Sequence, residues 1–446
     1  MGKSKRNKLK EKERNRSAAN GSDAKRSQTP STVGASDDSD DEALSDVTHL
    51  SLDDDLQSIA PDDEEVNELC RTGSEEAPES LIEQKLAENL ENATHKTPSI
   101  RLAALKNLQA LLSRYIICEA LSKWKVTMAD VVEKVLKKNS TAEAVVALKL
   151  IALLTVQLGS DIADSMESLM SLVRVQCADP TLNAEQRSEC ATVLALCSFL
   201  AIDELEPIMQ NLHCLRGVWQ SVKVGNATTN ASALFCSAVA SWALVLVQVP
   251  HRRVEETLSS TDTIPKLCSY LDSVQVDIRI AAGETLALVY ELGNDLSSSF
   301  RPANHQQTLE RLDALATDSL KFRAKKDRRI QRSSFRQIQA AIQAGEPPSL
   351  TIKFGGGESL ELRTWATKLC YDLCCFMLRS GMNAHLKKNE MLRDIFNLGP
   401  PLVGAAAKLG GMSKSERQAM HESHDKQRQQ ARAKQRGKRL ASFSTG

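Results

Sequence analysis

Lys325, Arg329, Arg332 and Arg336 follow one another at intervals of four, three and four residues, the spacing that aligns side chains along one helical face. Lys321, Arg323, Lys326 and Arg328 stand beside them, and Asp327 is the one acid among eight bases. Phe335, Ile338 and Ile342 supply a separate, core-facing stripe. A row of cations on a packed helix is suited to holding a polyanion such as RNA, although charged helix faces also serve simply as solvated surface. A second basic run lies near the end of the chain. Lys426, Arg428, Arg432, Lys434, Arg436, Lys438 and Arg439 make up seven of the fourteen residues from Lys426 to Arg439. A helix over Ser413 to Leu440, with Glu416 in its first turn, fits this stretch. Being polar all round, it has no face to bury against the chain's own core, so a polyanion is needed to order it. The alternative is a disordered tail carrying a nuclear signal. Without aromatics for base stacking, the run favours shape and phosphate contacts over sequence reading.

Covalent chemistry is not spelled out. His421 and His424 are three residues apart, one short of the one-turn spacing of zinc proteases. Cys370, Cys374 and Cys375 with His385 can be drawn as a metal set, but Cys374 and Cys375 are adjacent and point in different directions on a helix. Core cysteines explain them better. Gly355, Gly356 and Gly357 have no Lys-Ser/Thr behind them, as a phosphate-binding loop requires. The expectation is a protein without catalytic residues, cofactor, metal or small-molecule substrate.

The element that must hold these bases is a repeat. Ile100-Arg101, Ala104 and Leu108 return as Ile278-Arg279, Ala282 and Leu286. Weaker copies are Ala147 with Ile151, then Arg187, Cys190 and Leu194, then Leu362-Arg363, Ala366 and Cys370. Counted from Arg101, the equivalent positions Ala144, Arg187, Arg279 and Arg363 give steps of 43, 43, 92 and 84 residues, one or two units of a HEAT or armadillo array. Offsets of three and seven share a helical face: the small residue admits a neighbouring helix and the leucine fills behind it. One helix pair cannot bury its apolar face alone, so units stack. The copy due near residue 232 fits poorly, and Ala231 to Val249 is simply apolar and helical.

The fold class read from this is all-α: an armadillo/HEAT-like helical solenoid with a small β-hairpin near residues 349–362, a disordered acidic N-terminal tail and a basic C-terminal helix. Residues 1–78 open with Lys3, Lys5, Arg6 and further bases, then turn acidic from Asp37 to Glu65, a pattern of disorder. Residues 79–300 hold the repeats, 301–400 a helical region with the basic helix and the hairpin, and 401–446 the basic tail. Leu350, Ile352 and Phe354 alternate like a strand before the glycines and Leu360-Glu361-Leu362. The nineteen uncharged residues from Ala231 to Val249 are long enough to span a membrane, but flanking amphipathic helices favour a central array helix. The eleven cysteines are odd in number and scattered through apolar helices behind a basic, unleadered start, which implies reduced thiols inside the cell.

Lys325-Lys326-Asp327-Arg328-Arg329, Gln331-Arg332-Ser333, Phe335-Arg336, Ile352-Lys353-Phe354-Gly355 and Trp365 form a series of spaced blocks. It continues with Gly381-Met382, His385-Leu386, Asn389-Glu390, Leu392-Arg393, Phe396 and Leu398-Gly399-Pro400-Pro401. In this order they resemble the interferon-related developmental regulator family. The resemblance implies an armadillo-type protein without enzymatic activity, with Asn389, Arg393, Phe396, Gly399, Pro400 and Pro401 as family positions. It further implies association with ribosomes or another ribonucleoprotein through the basic C-terminal helix, or with histone-deacetylase-containing co-repressor complexes through the array groove. Residence in cytoplasm and nucleus and no membrane partner follow. After Pro401 the chain departs from the family pattern, with Gly404-Ala405-Ala406-Ala407 and Gly410-Gly411.

Overall fold

A computed structural model describes residues 79–138, 140–223, 229–259, 262–298, 300–317, 325–348, 350–355 and 358–401. The acidic N-terminal tail and the tail beyond Pro401 lie outside the described residues. Helices come in antiparallel pairs: α1 (Glu79–Asn92) with α2 (Pro98–Arg114), α3 (Cys118–Leu136) with α4 (Thr141–Leu158), α5 (Ala163–Ala178) with α6 (Ala184–Leu200), and α7 (Leu205–Ser221) with α8 (Thr229–Leu246). The fifth unit has two short outer helices, α9 (His251–Leu258) and α10 (Thr263–Tyr270), before α11 (Val276–Leu296). A sixth pairs α12 (His305–Thr317) with α13 (Lys325–Ala344). The second helix of each unit stacks on that of the next, so α2, α4, α6, α8, α11 and α13 form one continuous inner row. The inner row therefore continues from α11 to α13.

The repeat spelling has the packing role that its spacing predicts. Ala104, Leu108, Ala147, Ile151, Cys190, Leu194, Ala282 and Leu286 are all buried. The arginine has a second role. Arg101 donates through Nε and Nη2 to both carboxylate oxygens of Glu143 on the next inner helix, at 3.0 and 2.8 Å. Its Nη1 reaches back to the carbonyls of His95 and Lys96 at 3.0 and 2.9 Å. Arg279 repeats this pattern, holding the Ser273 and Val274 carbonyls behind it and Gln331 of α13 ahead. Fork geometry suits Arg for such two-way bonding. Two positions are corrected. Ser232 is the fourth residue of α8, as Arg101, Ala144, Arg187 and Arg279 are of their helices, so the unit that looked out of phase is in phase. Arg363 is not a repeat arginine: it sits exposed beside Glu361 at the end of the hairpin.

The apolar stretch from Ala231 belongs to the core. Phe235, Trp242 and Leu244 of α8 are fully buried, and Trp219, Trp242, Tyr270 and Phe235 form a chain of ring contacts. Two helical spans, Thr141–Ala178 and Thr229–Leu246, are long and apolar enough to cross a membrane, yet α4 and α8 spend that apolarity on their array neighbours.

After α13 come β1 (Leu350–Gly355) and β2 (Glu358–Leu362), antiparallel with Ile352 opposite Leu360 and an irregularity near Gly355. The expected hairpin is thus present, and Phe354, Leu360 and Leu362 are buried beneath it. Helices α14 (Trp365–Leu378), α15 (Met382–Lys388) and α16 (Glu390–Ile395) then turn back across the inner row. Helix α14 meets α2, α4, α8 and α11, α15 meets α2, and α16 meets α4.

Candidate functional site

The C-terminal helices α14, α15 and α16 lie across α2, α4, α8 and α11 of the array's inner row. At one end Glu291 of α11 accepts the backbone N–H groups of Trp365 and Ala366 at 2.8 and 3.3 Å. It thereby places a carboxylate on the positive end of α14. Burial first of all pushes this carboxyl above its usual range, against those two N–H groups. One turn on, Lys368 pairs with Glu284 of α11 at 2.9 Å and Asp372 at 2.8 Å. A cavity of about 40 Å³ remains between α8, α11 and α14, beside Ala240, Thr285, Leu288, Trp365 and Lys368.

At the other end, Gly381 lies against the Ser113 carbonyl so closely that a Cβ would overlap the oxygen. Asn389 caps α16 by accepting the Leu392 N–H, and its Nδ2 donates to the Val156 carbonyl at 2.9 Å, 233 residues away in sequence. The same Nδ2 approaches His385 Nδ1 at 3.1 Å. His385 is wholly buried next to the Leu112 and Ser113 carbonyls, and burial depresses its pKa to about 4.

Arg393 closes the turn. It is 1% exposed, donates to the carbonyls of Leu386, Lys387, Leu398, Gly399 and Pro400, and pairs through Nη1 and Nη2 with both oxygens of Glu358 in β2. Gly399 takes φ +80° so that its carbonyl faces the guanidinium. Phe396 packs edge-on against Tyr371 at 6.1 Å, and Pro401 is the last described residue. The family positions Asn389, Arg393, Phe396, Gly399 and Pro400 thus build a clasp. Sequence reasoning could not see that role because Val156 and Glu358, the partners, lie in other elements.

The predicted cationic row is on α13, the last inner helix. Phe335, Ile338 and Ile342 are buried; Phe335 and Ile338 rest against Gly283 of α11, where a Cβ would come within 2.9 Å of each ring or methyl. Arg329 and Arg336 are exposed and Arg332 is half-buried. Among the described residues neither Arg332 nor Arg336 has a carboxylate partner. Lys325 opens α13, with its side chain outside the described part. Lys426, Arg428, Arg432, Lys434, Arg436, Lys438 and Arg439 lie outside the described residues, as do His421 and His424. Among the described residues no group of three His, Cys, Asp or Glu side chains is arranged to hold a metal ion.

Residues 48–343 match the family model described as interferon-related developmental regulator, and residues 389–440 match the interferon-related protein conserved region. The chain belongs to the interferon-related developmental regulator family. It is 33% identical over 410 residues to interferon-related developmental regulator 1 of Sus scrofa, covering 90% of this chain and 89% of that one. It is 35% identical over 375 residues to interferon-related developmental regulator 2 of Mus musculus, covering 82% and 84%. A designed armadillo repeat protein aligns with a TM-score of 0.39 at 11% identity, over 57% of this chain and 99% of that one. The first family match ends with α13, and the second begins at Asn389, the residue that joins α16 to the far end of the array.

Proposed function

We propose that this family member is a non-enzymatic regulatory scaffold that associates with the RNA of a ribosome or similar ribonucleoprotein. The cationic face of α13 and the basic run from Lys426 to Arg439 supply the contacts. The observation that carries this reading is the mounting of the row: Arg329, Arg332 and Arg336 project from a helix whose Phe335 and Ile338 are locked in the core. The helix that carries these cations is already ordered and need not fold on binding, and each phosphate contact displaces counterions. The C-terminal helices support the same reading, because they occupy the inner row along α2, α4, α8 and α11 and leave α13 outside that contact.

The test is sedimentation of cell lysate through sucrose gradients at low and high salt. The intact chain is compared with one ending at Met412 and with the pair Arg332→Glu, Arg336→Glu. Comigration with ribosomes should be lost in high salt and in both variants, with the salt slope falling by roughly 0.9 per phosphate contact removed. An intact chain that stays at the top of the gradient under gentle conditions refutes the reading.

A second reading, a nuclear co-regulator recruiting histone-deacetylase-type co-repressor complexes, is favoured by one feature. Val126 and Val175 are exposed, at 57% and 65%, on the neighbouring outer helices α3 and α5. On this reading the convex side, not the groove, carries the partner.

A further inference from the structure

The outward face of α13 carries a nucleophile that the proposed RNA contact does not use. Ser333 lies four residues after Arg329, three before Arg336 and next to Arg332. Residues three and four apart share a helical face, with Cβ atoms about 5–6 Å apart, so Ser333 sits between two arginines of the row. Gln337, four residues on, is exposed on the same face. Ser334 faces another way: its neighbours at four residues are Ile330 and Ile338, and Ile338 is fully buried. Both serines are half-buried.

The Ser333 hydroxyl is uncommitted. Ser122, Ser188 and Ser198 donate back to the carbonyls of Cys118, Ala184 and Leu194 at 3.0, 2.8 and 2.7 Å, one way in which a helical serine uses its proton. Ser333 makes no such bond among the described residues. Arg332 and Arg336, for their part, have no carboxylate partner there. A phosphoryl group on Ser333 would bring the anion that these cations lack.

We propose that Ser333 is a phosphorylation site for a basic-directed serine kinase, and that the phosphoryl group switches off the cationic edge of α13; the switching rests on the RNA reading above. Lys325, Lys326, Arg328, Arg329 and Arg332 before the serine and Arg336 after it suit a kinase whose substrate groove is lined with carboxylates. In the transfer Ser333 Oγ attacks the γ-phosphorus of ATP, and the bond from that phosphorus to the bridging oxygen breaks. ADP leaves, and the hydroxyl proton passes to the kinase's general base. The product carries a charge of about −1.5 to −2 at pH 7 and three acceptor oxygens, within reach of Arg336 from one side and Arg329 from the other. Most of the charge of Arg329, Arg332 and Arg336 is then neutralised within the chain. Presenting the serine requires α13 to lift locally, because Phe335, two residues on, is buried. Since α13 ends the inner row, on α11 and α12, its release leaves the other stacking interfaces in place.

The experiment uses the full-length protein in two arms. In the first, ATP and a purified arginine-directed serine kinase are added and phosphopeptides are mapped; Ser333 should be modified and Ser334 not. In the second, phosphoserine is installed at position 333 by codon expansion, and binding to purified ribosomes is followed from about 50 to 200 mM salt. Loss of two phosphate contacts should lower the salt slope by about 1.8 and weaken binding at least about tenfold, and phosphatase should restore both. Ser333→Asp should act in the same direction but less, Ser334→Asp less still, and Ser333→Ala not at all. Modification of Ser334 in place of Ser333, or an unchanged slope with phosphoserine at 333, overturns the inference and leaves the RNA reading standing. An unmodified chain that fails to bind ribosomes in low salt overturns both. A phosphorylated protein that loses binding only because it melts earlier also counts against the switch, since the arginines should hold the phosphoryl group without unfolding the helix.

Discussion

Arg393→Ala probes whether the C-terminal clasp rests on one guanidinium. The substitution leaves Glu358, whose side chain is 16% exposed, without its bidentate partner. It also strips the donor from the carbonyls of Leu386, Leu398, Gly399 and Pro400. Breaking a buried ion pair from one side costs about 3–5 kcal/mol, and an orphaned buried carbonyl about 1 kcal/mol or more. Pro400 is exposed and the Glu358 side chain is 16% exposed, so water recovers part of the full sum and a total of about 5 kcal/mol is expected. At roughly 1.4 kcal/mol per tenfold, the opening equilibrium of the clasp shifts by between three and four orders of magnitude. Hydrogen exchange followed by peptide mapping reads this locally. Protection across α14, α15 and α16 should collapse, while α3 and α5, on the outer side, keep theirs. Arg393→Lys should fall between, because an ammonium retains the charge and loses the fork. Adding Glu358→Gln to Arg393→Ala should recover part of the loss by removing the stranded charge. A loss of protection under tenfold in α14 to α16, or an equal loss in α3, would refute the reasoning.

His385 makes the same region pH-sensitive. Its folded pKa of about 4 lies below the usual 6.5, so its contribution is complete above 6.5 and is lost as pH falls from there towards 4. The full loss is about 3 kcal/mol; urea midpoints at pH 7 and 4.5 should show it, and His385→Gln should flatten the difference, whereas an unchanged slope in the variant assigns it elsewhere. Gly381→Ala places a methyl group into the Ser113 carbonyl and should lower the melting temperature and deprotect α15, by several kcal/mol on the scale of overpacking; a neutral result would mean that the α15–α2 contact yields freely. Arg101→Met strands Glu143, 2% exposed, and should cost about 3 kcal/mol or more, measured against the exposed Arg252→Met as control; Glu143→Gln added to it should restore part.

The array was legible because its signal is local and repeated: a small residue three places beyond the arginine and an apolar one seven beyond lie on one face of one helix. The unit at Ser232 fitted the spelling poorly because Phe235 stands where a small residue is due three places on, although Ser232 has the same position within α8 as Arg101 within α2. Arg363 misled for the converse reason: Leu362-Arg363 with Ala366 and Cys370 repeats the spelling, but Thr364 starts a new helix with a capping box, and that helix crosses the inner row. The arginine's electrostatic role was hidden because its partner lies one repeat away, with Glu143 at 42 residues from Arg101 and Gln331 at 52 from Arg279. A search for acceptors at one repeat length from each arginine would have found Glu143, whereas Gln331, at 52 residues, lies beyond that step. The clasp has no such period, since Asn389 meets Val156 across 233 residues, and a contact of that span leaves no trace in local spacing.

The clasp also changes what the family positions can be taken to mean. Asn389, Arg393 and Gly399 carry polar or backbone features of the kind expected of a binding site, yet each spends them internally, on Val156, on Glu358 and five carbonyls, and on the Arg393 guanidinium itself. A partner seeking the inner face would have to replace the two N–H bonds at Glu291, the Lys368–Glu284 pair and the Asn389 bond together. The cations of α13 face the opposite situation: their helix is fixed by Phe335 and Ile338, and Arg336 remains exposed without a carboxylate partner among the described residues.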